Sequence, residues 1–288
     1  MFLGSLVALV SPFNQSNQLD SEALQKLVIW HVQNGTDAIV VGGTTGEAPT
    51  LNHQEKLDLL EICLKAAEGK IKIIAGTGTY STAESKELTK QAKELGADGS
   101  LVVAPYYNKP TQEGLFAHFQ ELDSLGLPII VYHHPGRTGV TIQPQTFTRL
   151  QTLKNIVAIK EASGSLDFFQ KVQKNCSLPV LSGDDSLTVA MMQKQAKGVI
   201  SVIANLVPKE WKQMTELCLK GDFLKAKAIE NKYKRLCQAL FLETNPQGVK
   251  YALSLMGKCQ PFLRLPLLEP REEVKTQIKQ EMKNLNLI

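Results

Sequence analysis

The 288-residue sequence lacks the patterns that mark membrane proteins, secreted proteins and zinc ribbons. It contains no run of about 18 apolar residues, so it offers no membrane-spanning helix. The N-terminal segment is apolar, but the first basic residue is Lys26, and we therefore expect no secretory signal. The five cysteines are widely spaced and never form C-x-x-C, which argues against a disulfide framework. These absences predict a cytoplasmic globular protein.

Charge of one sign and cofactor motifs are also scarce. The net charge is only +4, which is too small an excess to predict a nucleic-acid-binding surface. Gly76-Thr-Gly78 follows an apolar run, but Ser81 stands where a dinucleotide fingerprint needs glycine, and no phosphate-binding G-K-[ST] occurs. The five histidines include no H-x-H or H-E-x-x-H. We therefore expect neither an organic cofactor nor a metal ion.

What the sequence does contain is a regular alternation of short apolar runs and longer amphipathic segments. The eight runs are rich in Val and Ile and typical of strands buried on both faces. They are Leu6–Val10, Ala38–Val41, Ile71–Ala75, Leu101–Ala104, Ile129–Tyr132, Ile156–Ile159, Val180–Leu181 and Val199–Ile203. The segments between them have helical spacing, and Ser81-Thr-Ala-Glu84 predicts a capping box at the start of one.

Eight strand–helix units within about 220 residues predict a (β/α)8 barrel, an α/β fold. A doubly wound open sheet is the alternative, but its dinucleotide fingerprint is missing. After Gly221 the strand pattern stops, and the remaining segments all have helical spacing. We therefore expect a catalytic barrel over residues 1–222 and a C-terminal helical domain over residues 223–288.

Lys160 is the most informative residue, because active sites of such barrels lie at the C-terminal ends of the strands. It directly follows the sixth apolar run, and alternation along the strand places it on the same face as Ile156 and Ala158 and opposite Glu161. A lysine among apolar neighbours loses part of its affinity for a proton and can act as a Schiff-base nucleophile. The alternative is a lysine whose ammonium group extends to the barrel rim.

Three other strand ends carry candidate partners. Tyr132 ends the fifth run and could relay protons, although a core tyrosine would look the same. Arg137 follows it, and its guanidinium suits a carboxylate, the alternative being a pair with a surface acid. Thr44 and Thr45 lie in a glycine-flanked turn that could hold an anion or be simply a tight turn. Asp184 and Asp185 hint at a metal, but no histidine has ligand spacing with them.

Five motifs together resemble those of the dihydrodipicolinate synthase family, which is a family of pyruvate-dependent class I aldolases. They occur at strand ends in the family's order, and the resemblance runs along the whole chain. They are Gly43-Thr-Thr-Gly-Glu47, Tyr106-Tyr-Asn108, Tyr132 with Arg137-Thr-Gly139, Ile159-Lys-Glu-Ala162 and Leu181-Ser-Gly-Asp-Asp185.

The resemblance implies a lyase that condenses pyruvate with L-aspartate 4-semialdehyde in the diaminopimelate and lysine pathway, without a cofactor. Lys160 matches the lysine that forms the Schiff base. Thr44, Tyr107 and Tyr132 match a proton-shuttling triad, with Tyr107 donated by a neighbouring subunit of a homotetramer.

For the substrates, the resemblance implies that Thr45 holds the carboxylate of pyruvate. Arg137 would hold the carboxylate of the semialdehyde. Gly183 and Ile200 match positions whose backbone carbonyls line the site.

Two alternatives to the synthase share the scaffold. An N-acetylneuraminate lyase or another sugar-acid aldolase would keep Lys160 and Tyr132, but Arg137 and the Thr44–Thr45 pair argue against it. A regulatory barrel without activity is the other, and retention of every role-bearing residue argues against that.

The sequence departs from the family pattern in several places. His133 and Gly136 stand where Asn and Ser are frequent, and Lys56 and Tyr80 replace the usual His and Asn of a lysine-binding allosteric pocket. Because Lys56 would repel the ligand's cation, we expect weak or no inhibition by L-lysine. Strong inhibition at sub-millimolar L-lysine in a steady-state assay would contradict this.

Overall fold

The structure, a computed structural model, describes residues 2–288 and contains a closed barrel of parallel strands. The strands pair in sequence order, and β1 closes the barrel against β8. They are β1 Gly4–Ala8, β2 Ala38–Val41, β3 Lys72–Gly76, β4 Gly99–Val103, β5 Ile129–His133, β6 Ile156–Glu161, β7 Val180–Ser182 and β8 Gly198–Ser201. The predicted (β/α)8 architecture is confirmed.

Helices surround the barrel and extend beyond it at the C-terminal end. They are α1 Ser21–Gln33, α2 His53–Ala67, α3 Thr82–Leu95, α4 Gln112–Asp123, α5 Pro135–Thr138, α6 Pro144–Leu150, α7 Leu166–Asn175, α8 Thr188–Gln193, α9 Pro208–Leu219, α10 Phe223–Leu240, α11 Gln247–Leu255 and α12 Glu272–Asn284. Short 3-10 helices follow three strands, at Ala48–Thr50, Asp185–Leu187 and Ile203–Asn205.

Two apolar layers explain why the strands are apolar on both faces. One cluster fills the barrel and includes Leu6, Ile130 and Ile200. The other lies between the barrel and the helices and includes Ile39 and Ile159. Because both faces of each strand are buried, apolar residues are favoured at every position, and each strand is a nearly continuous apolar run.

The strand limits differ from the sequence expectation by at most two residues, and those of β2 coincide with it. The first strand is Gly4–Ala8 rather than Leu6–Val10, although Leu9 and Val10 are fully buried. Apolarity marks burial, whereas the strand limit depends on the hydrogen-bond ladder, so the two do not coincide. The capping box expected at Ser81 is only half present, since Ser81 accepts from the Glu84 amide, and the complete box is formed by Asn52 and Glu55.

The C-terminal helices pack on the barrel's last helices. Helix α10 contacts α8 and α9, and α12 contacts α10 and α11. Asp222 caps α10 by accepting from the Lys225 amide. The division into residues 1–222 and 223–288 stays a prediction. No helix in the described part of the chain is long and apolar enough to cross a membrane.

Candidate active site

The C-terminal ends of the strands enclose a cavity of about 190 Å³. The turn after β2, the end of β5 and the loop after β5 contribute Thr44, Tyr132 and Arg137 to its wall. Thr44 is 88 positions from Tyr132 in the chain, and the two meet because the closed barrel brings the strand ends together. The site expected from the strand-end motifs is therefore a real concavity.

Lys160 lies inside the barrel, as strand alternation predicted. It pairs in register with Tyr132 on β5 and Leu181 on β7 and is only 6% exposed. Its Nζ lies 4.2 Å from the centroid of the Tyr132 ring. The ammonium group therefore does not extend to the solvent at the barrel rim.

Burial lowers the pKa of Lys160 to about 7, because desolvation disfavours the charged form. The carboxylate of Asp185 acts in the opposite direction and raises this pKa, whereas the guanidinium of Arg137 lowers it further. Near neutral pH a large fraction of Lys160 is therefore the unprotonated amine. That form is the nucleophile required for Schiff-base formation.

Tyr132 lies beside Lys160 with its hydroxyl near Thr44. Burial raises the pKa of Tyr132 to about 12, and the charge of Arg137 and a hydrogen bond with Thr44 oppose that rise. The phenol thus remains protonated at neutral pH and is hydrogen-bonded to the hydroxyl of Thr44. This pair can pass a proton towards or away from a group bound at Lys160.

The turn after β2 has the backbone of an anion-binding nest. Gly42 and Glu47 both adopt positive φ, at 63° and 55°. Within residues 2–288 the amides of Thr44 and Thr45 donate to no protein acceptor. Thr45 is buried, and its Oγ1 accepts from Asn245 Nδ2 at 3.0 Å, which leaves its own proton free to donate. Two amides and a hydroxyl can therefore bind a carboxylate here.

Arg137 is an exposed cation without a carboxylate partner in the described chain. Its NH2 group donates to the backbone carbonyl of Asn245 at 3.1 Å, and it makes no ion pair with residues 2–288. The structure therefore gives no support to the alternative of a loop arginine paired to a surface acid. The remaining guanidinium donors are available for an anionic ligand.

Gly183 lies next to Lys160. A Cβ atom on Gly183 would lie 3.1 Å from Lys160 Cε and 2.5 Å from Ala162 Cβ, so only glycine fits there. Ile200 lies on β8 and belongs to the apolar cluster inside the barrel. The role of the backbone carbonyls of Gly183 and Ile200 stays a prediction.

Within one chain, Tyr107 is not part of the cavity wall. Its side chain is 90% exposed, and its φ is 72°, an unusual backbone conformation for a tyrosine. The adjacent Tyr106 does line the cavity and makes an edge-to-face contact with Tyr80 at 5.6 Å between ring centroids.

Two residues at the site carried no sequence signal of their role. Asn245 joins Thr45 to Arg137, but it lies 200 positions from Thr45 in the chain, outside any strand end. Asp185 accepts hydrogen bonds from the amides of Val202 and Ile203, both at 2.9 Å, and modulates Lys160. Its carboxylate thus anchors the backbone that follows β8.

The residues at the expected lysine-binding pocket have partners within the chain. Lys56 Nζ lies 3.8 Å from Glu84 Oε1. The positive charge that distinguishes Lys56 from the usual His is therefore partly balanced by a nearby carboxylate. Weak inhibition by L-lysine stays a prediction.

Comparison with known proteins shows which proteins the whole chain resembles. A sequence model described as the "Dihydrodipicolinate synthetase family" matches residues 1–285. The 4-hydroxy-tetrahydrodipicolinate synthase of Trichlorobacter lovleyi is 47% identical over 291 residues, which cover 100% of both chains. The enzyme of the same name from Geobacter metallireducens is 48% identical with the same coverage.

Solved structures agree with this relationship. The crystal structure of dihydrodipicolinate synthase from Aquifex aeolicus superposes with a TM-score of 0.97 at 47% identity and covers 99% of each chain. The synthase from Thermotoga maritima gives 0.98 at 41% identity, with 100% of each chain covered. The similarity thus extends over the barrel and the C-terminal helices alike.

Proposed function

The chain belongs to the dihydrodipicolinate synthetase family. We propose that it condenses pyruvate with L-aspartate 4-semialdehyde and that Lys160 forms the Schiff base with pyruvate. The protein is a pyruvate-dependent lyase of diaminopimelate and lysine biosynthesis, and full-length relatives of that activity favour it over the N-acetylneuraminate lyase alternative. The observation that carries the proposal is the buried Lys160 amine, whose pKa is lowered to about 7 beside Tyr132.

The first half of the reaction activates pyruvate. Unprotonated Lys160 attacks the ketone carbon, and water leaves as the iminium forms. The iminium accepts an electron pair when a methyl proton is lost, which gives the enamine. Thr44 and Tyr132 transfer the protons of these steps, supported by their mutual hydrogen bond, while the free amides of Thr44 and Thr45 hold the carboxylate.

The second half joins the two substrates. The enamine carbon attacks the aldehyde carbon of the semialdehyde, and the new oxyanion takes a proton from the hydroxyl relay. The amine of the semialdehyde then displaces Lys160, which closes the ring and frees the enzyme. Arg137 holds the second carboxylate, a role supported by its unpaired guanidinium at the cavity wall.

The assembly and location belong to the same proposal. Tyr107 would complete the proton relay from a neighbouring subunit, so the active unit is at least a dimer and, by the family resemblance, a dimer of dimers in the cytoplasm. The near-complete exposure of Tyr107 in one chain supports a role at an interface.

Kinetics with an Arg137→Ala variant test this assignment. We expect the wild type to consume aspartate semialdehyde with pyruvate and to leave N-acetylneuraminate intact. The variant should show a roughly 10-fold or larger increase in KM for the semialdehyde, because a charge-assisted bond is lost, and a normal pyruvate adduct. Arg149→Ala is the matched control, since Arg149 pairs with Glu113 on the surface. Equal loss of adduct formation in Arg137→Ala would contradict the role.

A further inference from the structure

A second concavity adjoins Lys160 and has no role in the proposal so far. This α10 cleft, of about 410 Å³, lies between the loops that follow β5, β6 and β7 and the end of helix α10. Its wall includes His134, Ala162, Gly183, Asp184 and Phe241. Gly183 connects it to the reaction centre, since a Cβ there would lie 3.1 Å from Lys160 Cε.

His134 is the side chain of the cleft whose hydrogen-bonding capacity is unused. Its ring meets the Tyr132 ring edge-on, with 5.9 Å between centroids. Its Nδ1 is buried without a partner, on the side of Gly136, where a Cβ would lie 3.6 Å from that nitrogen. Gly136 therefore leaves room for the imidazole and offers no acceptor to it.

The two ring nitrogens of His134 differ in accessibility. Nδ1 is buried, whereas Nε2 is the nitrogen on the accessible side of a ring that lines the cleft. Burial, with Arg137 and Lys160 contributing in the same direction, lowers the pKa of His134 to about 4, although its own backbone opposes the shift. The ring is therefore neutral at neutral pH, and Nε2 can form a hydrogen bond in either tautomer.

The charges of the cleft distinguish between the two substrates. The carboxylate of Asp184, in its wall, disfavours pyruvate, which is purely anionic, and favours a substrate that also carries an ammonium group. Pyruvate has its own carboxylate site in the turn of Thr44 and Thr45. The semialdehyde has an ammonium group and several oxygen acceptors.

We infer that His134 is a specificity-determining residue, whose accessible Nε2 forms a hydrogen bond with a polar group of the semialdehyde held between Arg137 and Lys160. This rests on the proposed function, since it names how that site selects its second substrate. His134 acts after pyruvate has bound and takes no part in forming the adduct.

Three substitutions test the role atom by atom. His134→Val removes both nitrogens, His134→Gln keeps a hydrogen-bonding amide near the Nε2 position, and His134→Asn places its amide near Nδ1. Steady-state kinetics with varied semialdehyde and saturating pyruvate should show KM about 10-fold higher for the Val and Asn variants. The Gln variant should recover most of the difference. KM for pyruvate should stay within about twofold of wild type in all three.

The same preparations distinguish failure of this inference from failure of the proposed function. Borohydride reduction with pyruvate should give a normal Lys160 adduct in each variant, because His134 acts on the other substrate. Normal adducts with an unchanged semialdehyde KM in His134→Val would overturn the inference alone. An Asn variant that recovers as well as Gln would also overturn it. Absence of an adduct in the wild type would overturn the proposed function instead.

Discussion

At the scale of single residues, the chemistry depends on the environment of Lys160. Its position inside the barrel could be predicted, because alternation along an apolar strand assigns each side chain to a face. The charges that modify it could not, since Asp185 and Arg137 reach it from other loops. Asn245 was missed for the same reason, because its partners Thr45 and Arg137 are distant in sequence.

The lowered pKa of Lys160 predicts the pH dependence of adduct formation. The unprotonated amine attacks pyruvate, so the rate should rise with pH as Lys160 loses its proton and level off above about 7. A lysine with its ordinary pKa near 10.4 would instead give a rate that keeps rising across this range. Initial rates of borohydride-trapped adduct between about pH 6 and pH 9 make the comparison. A continuous rise to the alkaline end would contradict the account.

At the scale of elements, the segment that leads into α11 ties the C-terminal helices to the active-site turn. Asn245 contacts Thr45 and Arg137, and Lys250 Nζ lies 2.5 Å from Glu47 Oε1 with both side chains fully buried. Glu47 also accepts from the amide of Arg264 at 3.0 Å. The C-terminal helices therefore fix the turn that holds the substrate carboxylate, rather than merely covering the barrel.

Breaking this buried pair should be costly. Lys250→Met leaves the Glu47 carboxylate uncompensated in the interior, and we expect the free energy of unfolding to fall by about 3–5 kcal/mol. Urea denaturation followed by circular dichroism measures it. Lys225→Met is the matched control, because its ion pair with Asp222 is largely solvated and should contribute under about 1 kcal/mol. Equal midpoints for the two variants would show that the buried pair is dispensable.

At the scale of the whole molecule, the barrel could be predicted from the sequence. The contacts between the barrel and the C-terminal helices could not. Two buried faces produce apolar runs that a sequence displays directly, whereas contacts such as Asn245 with Thr45 leave no local pattern. Strand limits shifted because buried residues such as Leu9 continue the apolar pattern beyond the strand.

Tyr107 makes the assembly testable. It is 90% exposed in one chain, so its proposed place in the proton relay requires a second chain. We expect sedimentation to show at least a dimer and Tyr107→Phe to lower kcat roughly 100-fold, since a positioned proton donor is lost. Circular dichroism should remain that of the wild type. A strictly monomeric enzyme with full activity, or a Phe variant with normal kcat, would remove Tyr107 from the mechanism.

The central claim is that Lys160 is the nucleophile, and chemical trapping tests it most directly. The protein is incubated with pyruvate and borohydride, digested, and its peptides are weighed and sequenced by mass spectrometry. We predict a single reduced pyruvate adduct on Lys160, absent from Lys160→Ala. An adduct on another lysine, such as Lys109 in the loop after β4, or no adduct at all, would contradict the account.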